Sequence, residues 1–205
     1  MSAPCWSCGK AAAGLFCESC RAIQAPFAGI FELFGLPHSL SIDRKDLEQR
    51  FYALSRRLHP DLFSRKSERE QQYSTDASAL LNDGYRILRD PVRRAEYVLK
   101  ENGLPIGEQG SKHVPSDLLE EVFELNMALE EIRHGDPSVR PHLEEAGKRF
   151  GGLLGEIDAD LERAFTEYDQ SRDQSVLGRV RGYLNRRKYI SNLLNEVTVA
   201  LERAA

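Results

Sequence analysis

FYALSRRLHPDLF, residues 51–63, contains the second half of a predicted amphipathic helix and the Pro60 that ends it. This segment decides the fold of the region around it. Four apolar side chains recur at intervals of four, three and four residues, which predicts one buried helix face. These side chains are Leu47, Phe51, Leu54 and Leu58. Asp43, a residue type favoured at helix N-caps, predicts where the helix begins. The helix should end near Leu58, because the residue before Pro60 is driven out of the α-helical conformation.

Helical spacing continues on both sides of this segment. A short apolar segment spans 27–36, a long helix is predicted over 68–88, and a short one lies between Pro91 and Asn102. Gly84 lies inside the long helix, where glycine costs up to about 1 kcal/mol. We therefore expect a facing helix to approach closely at Gly84.

Beyond a polar linker over 105–114, the sequence predicts three antiparallel helices that form a small bundle. Their predicted ranges are 116–133, 139–169 and 174–203. Ser116 or Asp117 is expected to cap the first helix. The run 134–137, His-Gly-Asp-Pro, separates the first helix from the second.

Composition excludes several classes of protein. The chain has 205 residues, a net charge of −4 and no dense basic surface, so general nucleic-acid binding is not expected. No run of about 18 apolar residues occurs, so we expect no membrane span. Residues 1–5 show neither an apolar secretory core nor an Arg-rich transit pattern. A cytoplasmic protein is the direct prediction, and a mitochondrial matrix protein whose presequence has been removed is the alternative.

All four cysteines lie in the first twenty residues, with the spacing Cys-x2-Cys-x8-Cys-x2-Cys. This spacing favours four thiolates on one tetrahedral metal ion over two disulfides or free thiols, since nothing indicates secretion. A closed site of four protein ligands is structural rather than catalytic. Structural Zn²⁺ is favoured over iron, which uses the same ligands. The predicted ligands are Cys5, Cys8, Cys17 and Cys20.

Candidate binding residues surround His59-Pro60-Asp61. The tripeptide alone is also compatible with an ordinary loop that ends a helix. The helix before it carries Arg50, Arg56 and Arg57, and Arg50 and Arg57 are seven residues apart on one face. A basic outward face beside an exposed Asp61 predicts docking on an acidic partner, and the alternative for the arginines is a solvated face.

The first bundle helix carries two apolar stripes. Spacing of four and three predicts a core seam of Leu118, Val122, Leu125, Leu129 and Ile132. The second stripe is Leu119, Phe123 and Met127, rotated by about 100° at 3.6 residues per turn. Carboxylates surround it, and no basic residue occurs from 117 to 132. An exposed apolar strip rimmed by carboxylates suits a basic, partly apolar partner, and the alternative is one wide buried face.

The last helix carries a basic block of five residues. These are Arg179, Arg181, Arg186, Arg187 and Lys188. We expect the block to pair with the acidic first helix of the bundle, with each surface pair contributing about 0–1 kcal/mol.

Several segments resemble the HscB family, also called Jac, the J-type co-chaperones of iron–sulfur cluster assembly. The resemblance covers nearly the whole chain. It is carried by FELFGL (31–36), HPDLF (59–63), ALLNDGY (79–85), RAEY (94–97) and FEL (123–125). CWSC (5–8) and FCESC (16–20) resemble the tetracysteine extension of some members. The RAEY segment and the absence of a Gly/Phe-rich tract separate this pattern from that of general J-proteins.

The resulting fold prediction is an all-α, L-shaped molecule with a J-domain, a C-terminal three-helix bundle and a small N-terminal zinc-knuckle module. The predicted bounds are 1–24 for the cysteine module, 25–104 for the J-domain, 105–114 for the linker and 115–205 for the bundle.

The resemblance also implies two protein partners. An HscA- or DnaK-type ATPase would be contacted by His59, Pro60 and Asp61 and by Arg50, Arg56 and Arg57. An IscU-type scaffold would be contacted by Leu119, Glu120, Phe123, Glu124, Met127, Glu131 and Tyr183. We therefore expect a co-chaperone that delivers the scaffold and stimulates ATP hydrolysis by its partner. The sequence shows neither a P-loop nor a Ser/His/Asp grouping, so we do not expect an enzyme.

Two other functions and one further partner are consistent with the sequence. A general-folding J-protein would share the effect on the ATPase but bind unfolded chains. An iron-binding redox module would use the cysteines instead. The cysteine module has no assigned role, and both homodimerisation and recruitment of another partner are open to it.

Overall fold

The computed structural model describes residues 3–26, 29–106 and 116–203, and these residues are predominantly helical. The chain divides into two compact units, Met1–Arg94 and Ala95–Ala205. Residues 107–114 of the predicted linker and residues 27–28 of the first apolar segment lie outside the described residues. The bounds predicted for the individual domains stay predictions.

The cysteine module opens the first unit. Strands β1 (Ala3–Pro4) and β2 (Ala11–Ala12) pair antiparallel, and a second chain reversal is closed by an isolated bridge between Phe16 and Ile23. Each reversal contains one Cys-x-x-Cys pair. Gly9, at φ +73°, occupies the left-handed conformation that the first reversal requires.

Three helices follow in the first unit: α1 (Ile30–Phe34), α2 (Arg44–Leu58) and α3 (Glu68–Arg89). The predicted cap of α2 is confirmed, because the Asp43 carboxylate accepts hydrogen bonds from the backbone N–H groups of Lys45 and Asp46. The helix also ends at Leu58 as predicted. At the start of α3, Ser67 and Glu70 form a reciprocal capping box.

The core of this unit lies between α1, α2 and α3. Its largest fully buried side chains include Phe31, Leu47, Leu58, Leu81 and Leu88. Gly84 lets α1 approach α3, since a Cβ at Gly84 would lie 3.1 Å from Cε2 of Phe34 and 3.3 Å from Cγ2 of Ile30. The predicted close approach of a facing helix is confirmed.

Helix α4 (Pro91–Glu101) spans the boundary between the units. Arg94 near its start is 6% exposed, and its guanidinium donates to the carbonyl oxygens of Leu40, at 2.8 Å, and Leu88. A buried guanidinium requires such acceptors, because an unpaired charge in the interior is costly. Arg94 therefore ties the start of α4 to the end of α3 and to the loop that precedes α2.

The second unit contains α5 (Leu119–Arg133), α6 (Arg140–Ser171) and α7 (Gln174–Arg203). Helices α6 and α7 pack against each other, and α5 packs on both. Gly147 lies inside α6, where its Cβ position would be 3.5 Å from Cγ1 of Val197. The three-helix bundle predicted from the sequence is confirmed.

The predicted side-chain cap of the first bundle helix is wrong. A 3₁₀ turn covers Ser116–Leu118, and α5 begins after Leu118 without a side-chain hydrogen bond at its N-cap. The Asp117 carboxylate instead accepts two hydrogen bonds from Arg186 on α7, at 2.9 and 2.6 Å. Pairing with an arginine on a neighbouring helix has displaced the local cap.

Among the described residues, no helix is both long enough and apolar enough to cross a membrane.

Candidate interaction sites and metal centre

The His59-Pro60-Asp61 segment forms a rigid, exposed turn between α2 and α3. Pro60–Phe63 is one turn of 3₁₀ helix, with Pro60 at its first position. Nδ1 of His59 accepts a hydrogen bond from the backbone N–H of Asp61 at 3.3 Å. The Ser64 hydroxyl donates to the carbonyl of Asp61 at 2.9 Å. These local bonds fix the backbone and leave the Asp61 side chain 88% exposed.

Two serine hydroxyls of α3 hold the base of this turn. Ser74 Oγ donates to the carbonyl of Leu58 at 2.6 Å, and Ser78 Oγ donates to the same oxygen at 3.0 Å. Ser74 is completely buried. The carbonyl of Leu58 ends α2 and would otherwise lack a helical partner. Neither serine is predicted from the sequence, because helical spacing gives no signal for a buried hydroxyl.

The three arginines of the predicted basic face of α2 differ in exposure, because Arg56 and Arg57 are exposed and Arg50 is partly buried. Arg50 Nη1 donates to the carbonyls of Phe34, at 3.1 Å, and Gly35, at 3.0 Å, while its Nε donates to Asp46 at 2.8 Å. Arg57 lies with its guanidinium carbon 4.8 Å from the ring centroid of Phe16 in the cysteine module. Arg50 and Arg57 share a face, as their spacing indicates. Arg50 bonds the end of α1, whereas Arg57 stays exposed beside Phe16 of the module.

A second exposed face of α2 carries Tyr52, Arg56 and His59, at positions i, i+4 and i+7. Tyr52 is 52% exposed, and Arg56 donates to its carbonyl at 3.4 Å. Because residues four apart are neighbours on a helix surface, this face runs directly into the His59 turn.

In the second unit, α5 presents the two predicted stripes on opposite sides. The core seam is buried, with Leu118, Val122, Leu125, Leu129 and Ile132 all at most 8% exposed. The second stripe faces outward, with Leu119 at 55%, Phe123 at 66% and Met127 at 50% exposure. Glu120, Glu124 and Glu131 are exposed beside it. The alternative of one wide buried face is wrong.

Tyr183 completes the predicted set of scaffold contacts. It lies on α7 and is partly buried, so α5 alone supplies the exposed members of the set.

The basic block of α7 pairs partly as predicted. Arg179 binds Glu167 at 2.5 Å, Arg187 binds Asp158 at 2.6 Å, and Arg186 binds Asp117. The predicted pairing with the first bundle segment therefore holds for Arg186, whose partner Asp117 lies in the turn before α5. The partners of Arg179 and Arg187 lie on α6 instead.

The four cysteines converge on one point. Their Sγ atoms all lie within 4.8 Å of one another, with Cys5 and Cys20 at 3.6 Å and Cys8 and Cys17 at 3.7 Å. A disulfide would bring two sulfurs to about 2.05 Å. Four thiolates at about 2.3 Å from one tetrahedral ion lie about 3.8 Å apart, which the cluster approaches. The donor set and its spacing therefore fit a metal ion.

The electrostatics of the cluster also favour a cation. Burial opposes ionisation of Cys5, but the backbone N–H groups of Cys8 and Ser7 lower its pKa to about 6. The N–H groups of Cys20 and Ser19 likewise lower the pKa of Cys17. At Cys8 the N–H of Lys10 lowers the pKa, but burial and the neighbouring thiols raise it to about 11. Two thiols ionise readily and their charge opposes further ionisation, so a bound cation would stabilise the fully deprotonated set.

Comparison with known proteins assigns the chain to a family. Residues 114–198 match the family model described as the HSCB C-terminal oligomerisation domain. Over 177 residues the chain is 37% identical to the co-chaperone protein HscB homolog of Vibrio vulnificus strain YJ016, covering 84% of this chain and 96% of that protein. The chain belongs to the HscB family of co-chaperones. The family predicted from the sequence is confirmed.

Two further comparisons extend this assignment. The iron-sulfur cluster co-chaperone protein HscB of Mus musculus is 32% identical over 188 residues, covering 88% of this chain and 78% of that protein. The crystal structure of human co-chaperone protein HscB aligns with a TM-score of 0.69 at 27% identity, covering 96% of this chain and 98% of that one. The predicted fold class, all-α with a J-domain, a C-terminal bundle and an N-terminal tetracysteine module, is confirmed.

The Asp117–Arg186 contact at the start of α5 gives a testable prediction. Hydrogen bonds from Arg186 lower the pKa of Asp117, so in Arg186→Gln this pKa should rise toward the ordinary value of an aspartate. The folded-state pKa lies below the unfolded value, so the stabilisation is present above about pH 4 and is lost as pH falls through the folded-state pKa. NMR titration of side-chain carboxyls measures the change.

Asp136 is the control, because hydrogen bonds from Ser138 lower its pKa and Arg186 takes no part in them. Its pKa should stay the same in the variant. An unchanged Asp117 pKa would show that the two side chains do not pair in solution.

Proposed function

We propose that this protein is a co-chaperone of iron–sulfur cluster assembly that binds an IscU-type scaffold and delivers it to an HscA- or DnaK-type chaperone while stimulating the chaperone's ATPase. One observation carries the proposal: each of the two units exposes a surface of different chemistry. The first exposes the His59–Asp61 turn, and the second exposes the apolar stripe of α5. The names of the relatives, co-chaperone and iron–sulfur cluster co-chaperone, agree with this role.

The chaperone would dock on the His59–Asp61 turn and the neighbouring arginines. Asp61 offers a fixed, solvated carboxylate, and Arg56 and Arg57 add positive charge one helical turn away. Surfaces with both signs of charge give specificity and orientation more than raw affinity. Of the six predicted contact residues, Arg50 is the one whose guanidinium already bonds two backbone carbonyls. We therefore expect Arg50 to act through the fold and the other five to act by contact.

The scaffold would dock on the exposed stripe of α5. Leu119, Phe123 and Met127 form a continuous apolar strip, and Glu120, Glu124 and Glu131 rim it. A buried aromatic anchor inside a polar rim is the usual arrangement of an energetic hot spot. The exposed carboxylates beside the stripe offer acceptors to basic groups of the partner.

The metal at Cys5, Cys8, Cys17 and Cys20 would be structural Zn²⁺. Four thiolate ligands close the site, so no open coordination position remains for substrate or water. Zinc supplies folding energy to a module this small, which has too few apolar residues for a core of its own. The predicted compartment stays the cytoplasm, with the mitochondrial matrix as the alternative.

Replacement of Asp61 should separate the two activities. Asp61→Asn keeps the shape of the turn and removes the charge, so stimulation of the chaperone ATPase should be abolished while scaffold affinity is unchanged. Steady-state ATPase assays and a scaffold-binding titration measure the two effects. Asp83→Asn, another exposed carboxylate of the same unit, is the matched control and should leave stimulation intact. Full stimulation by Asp61→Asn would contradict docking at this turn.

Replacement of Phe123 should have the opposite effect. Phe123→Ala removes the most exposed member of the stripe, so scaffold affinity should fall at least about tenfold, the scale of a hot-spot residue. Stimulation of the chaperone without scaffold should stay unchanged. Leu62→Ala, which removes a large exposed apolar side chain from the first unit, should bind scaffold normally. Loss of both activities in Phe123→Ala would show that the residue supports the fold instead.

Metal analysis tests the cysteine centre. The purified protein should contain one zinc per chain and no visible absorbance, and Cys17→Ser should lower its zinc content. Ser19→Ala, inside the same knuckle, keeps all four thiols and should keep the metal. A red protein with stoichiometric iron would instead support the redox alternative.

A further inference from the structure

We propose that the cysteine module is a metal-held brace whose Phe16 positions Arg57 for contact with the chaperone. The inference rests on the proposed docking of a chaperone at the His59–Asp61 turn. It assigns a role to residues 3–24 of the module and makes Phe16 a positioning residue rather than a contact residue.

Each knuckle of the module contributes one aromatic side chain that is adjacent in sequence to a buried cysteine. Trp6 follows Cys5, which is 3% exposed, and Phe16 precedes Cys17, which is 1% exposed. The indole Nε1 of Trp6 donates to the carbonyl of Ile23 at 2.6 Å, and Phe16 pairs with Ile23 through a backbone bridge. The positions of both rings are therefore tied to the thiolate cluster.

The two rings contact two different helices. Phe16 lies under Arg57 of α2, with 4.8 Å from the guanidinium carbon to the ring centroid. Trp6 lies under Arg69 of α3 at 5.2 Å and packs edge-on against Tyr73 with centroids 6.3 Å apart. Helices α2 and α3 are the two arms that the His59–Asp61 turn connects. The module therefore contacts both α2 and α3, the helices on either side of the turn.

The position of Arg57 explains why such a brace matters. Arg57 precedes His59 by two residues, and arginine side chains lose considerable rotamer freedom when they bind. A guanidinium already held over an aromatic ring has lost part of that freedom, so binding is less unfavourable. Four thiolates around one ion fix the distance between the knuckles, and without the ion the module should unfold. Metal binding and chaperone affinity should then be coupled.

A double-mutant cycle tests the positioning role. Phe16→Leu keeps the apolar volume and removes the π face. It should raise the concentration that half-maximally stimulates the chaperone about two- to fivefold, the scale of an exposed cation–π contact. The maximal stimulation and the zinc content should stay unchanged. In the Arg57→Ala background the same replacement should add nothing, whereas in the matched Arg56→Ala background it should keep its full effect.

Trp6 gives a second readout that does not depend on the chaperone. It is the single tryptophan of the chain, so its emission reports whether the module stays on α3. Chelation of the metal should shift Trp6 emission to the red in the wild type and in Arg57→Ala alike. The half-stimulating concentration should rise on chelation in the wild type by at least the factor seen in Phe16→Leu, and it should stay constant in Arg57→Ala.

The outcomes separate this inference from the proposed function. An unchanged half-stimulating concentration in Phe16→Leu, or an equal loss in the Arg57→Ala and Arg56→Ala backgrounds, would overturn the brace. In that case Asp61→Asn would still abolish stimulation and the proposed function would stand. Full stimulation by Asp61→Asn would overturn the proposed function itself, whatever Phe16→Leu does.

Discussion

The carbonyl oxygen of Leu58 is the point on which the first unit depends. Pro60 forces α2 to end there, and the hydroxyls of Ser74 and Ser78 on α3 donate to this carbonyl oxygen. Each such bond contributes about 1 kcal/mol, and the larger effect is to avoid an unsatisfied buried acceptor. With α2 and α3 joined at this atom, the His59–Asp61 turn has one defined conformation. The Asp61 carboxylate faces solvent, with Nδ1 of His59 3.5 Å from one of its oxygens.

At each proposed binding site, exposed side chains lie on a backbone that buried contacts hold in place. In the second unit, the seam of α5 is buried against α6 and α7, and this fixes the direction of the opposite face. Arg186 holds the turn before α5 through Asp117, so the helix starts at a defined place. At the N-terminus, the cysteine cluster holds Trp6 and Phe16 against the two arms of the turn. Rigid support behind each exposed group lowers the entropy lost on binding.

Much of this organisation could be predicted from the sequence, because it depends on local periodicity and on spacing. The end of α2, the cap at Asp43, the buried seam and exposed stripe of α5, and the convergence of four cysteines all follow from such patterns. Arg50 and Arg57 were placed on one face correctly, but a helical wheel gives only the angle about the helix's own axis. It does not show that carbonyls of α1 and the ring of Phe16 lie against that face.

The other errors have the same origin. The ion pairs of the α7 basic block, including Arg186 with Asp117, depend on which segments lie next to α7 in the folded bundle. Local spacing carries no information about which acidic segment that is. The burial of Arg94 and Ser74 is likewise set by acceptors distant in sequence, Leu40 and Leu58. Polar side chains that bond buried backbone carbonyls were therefore the main class of residue that could not be predicted from the sequence.

The most direct test of the account is the steady-state ATPase rate of the cognate HscA- or DnaK-type chaperone with this protein, measured with and without an IscU-type scaffold. Two surfaces that act together predict a rise in rate that becomes much larger when scaffold is added. A rise that is indifferent to scaffold would contradict the delivery of a specific client and favour a general-folding J-protein. No rise under either condition would show that the His59–Asp61 turn does not engage the chaperone at all.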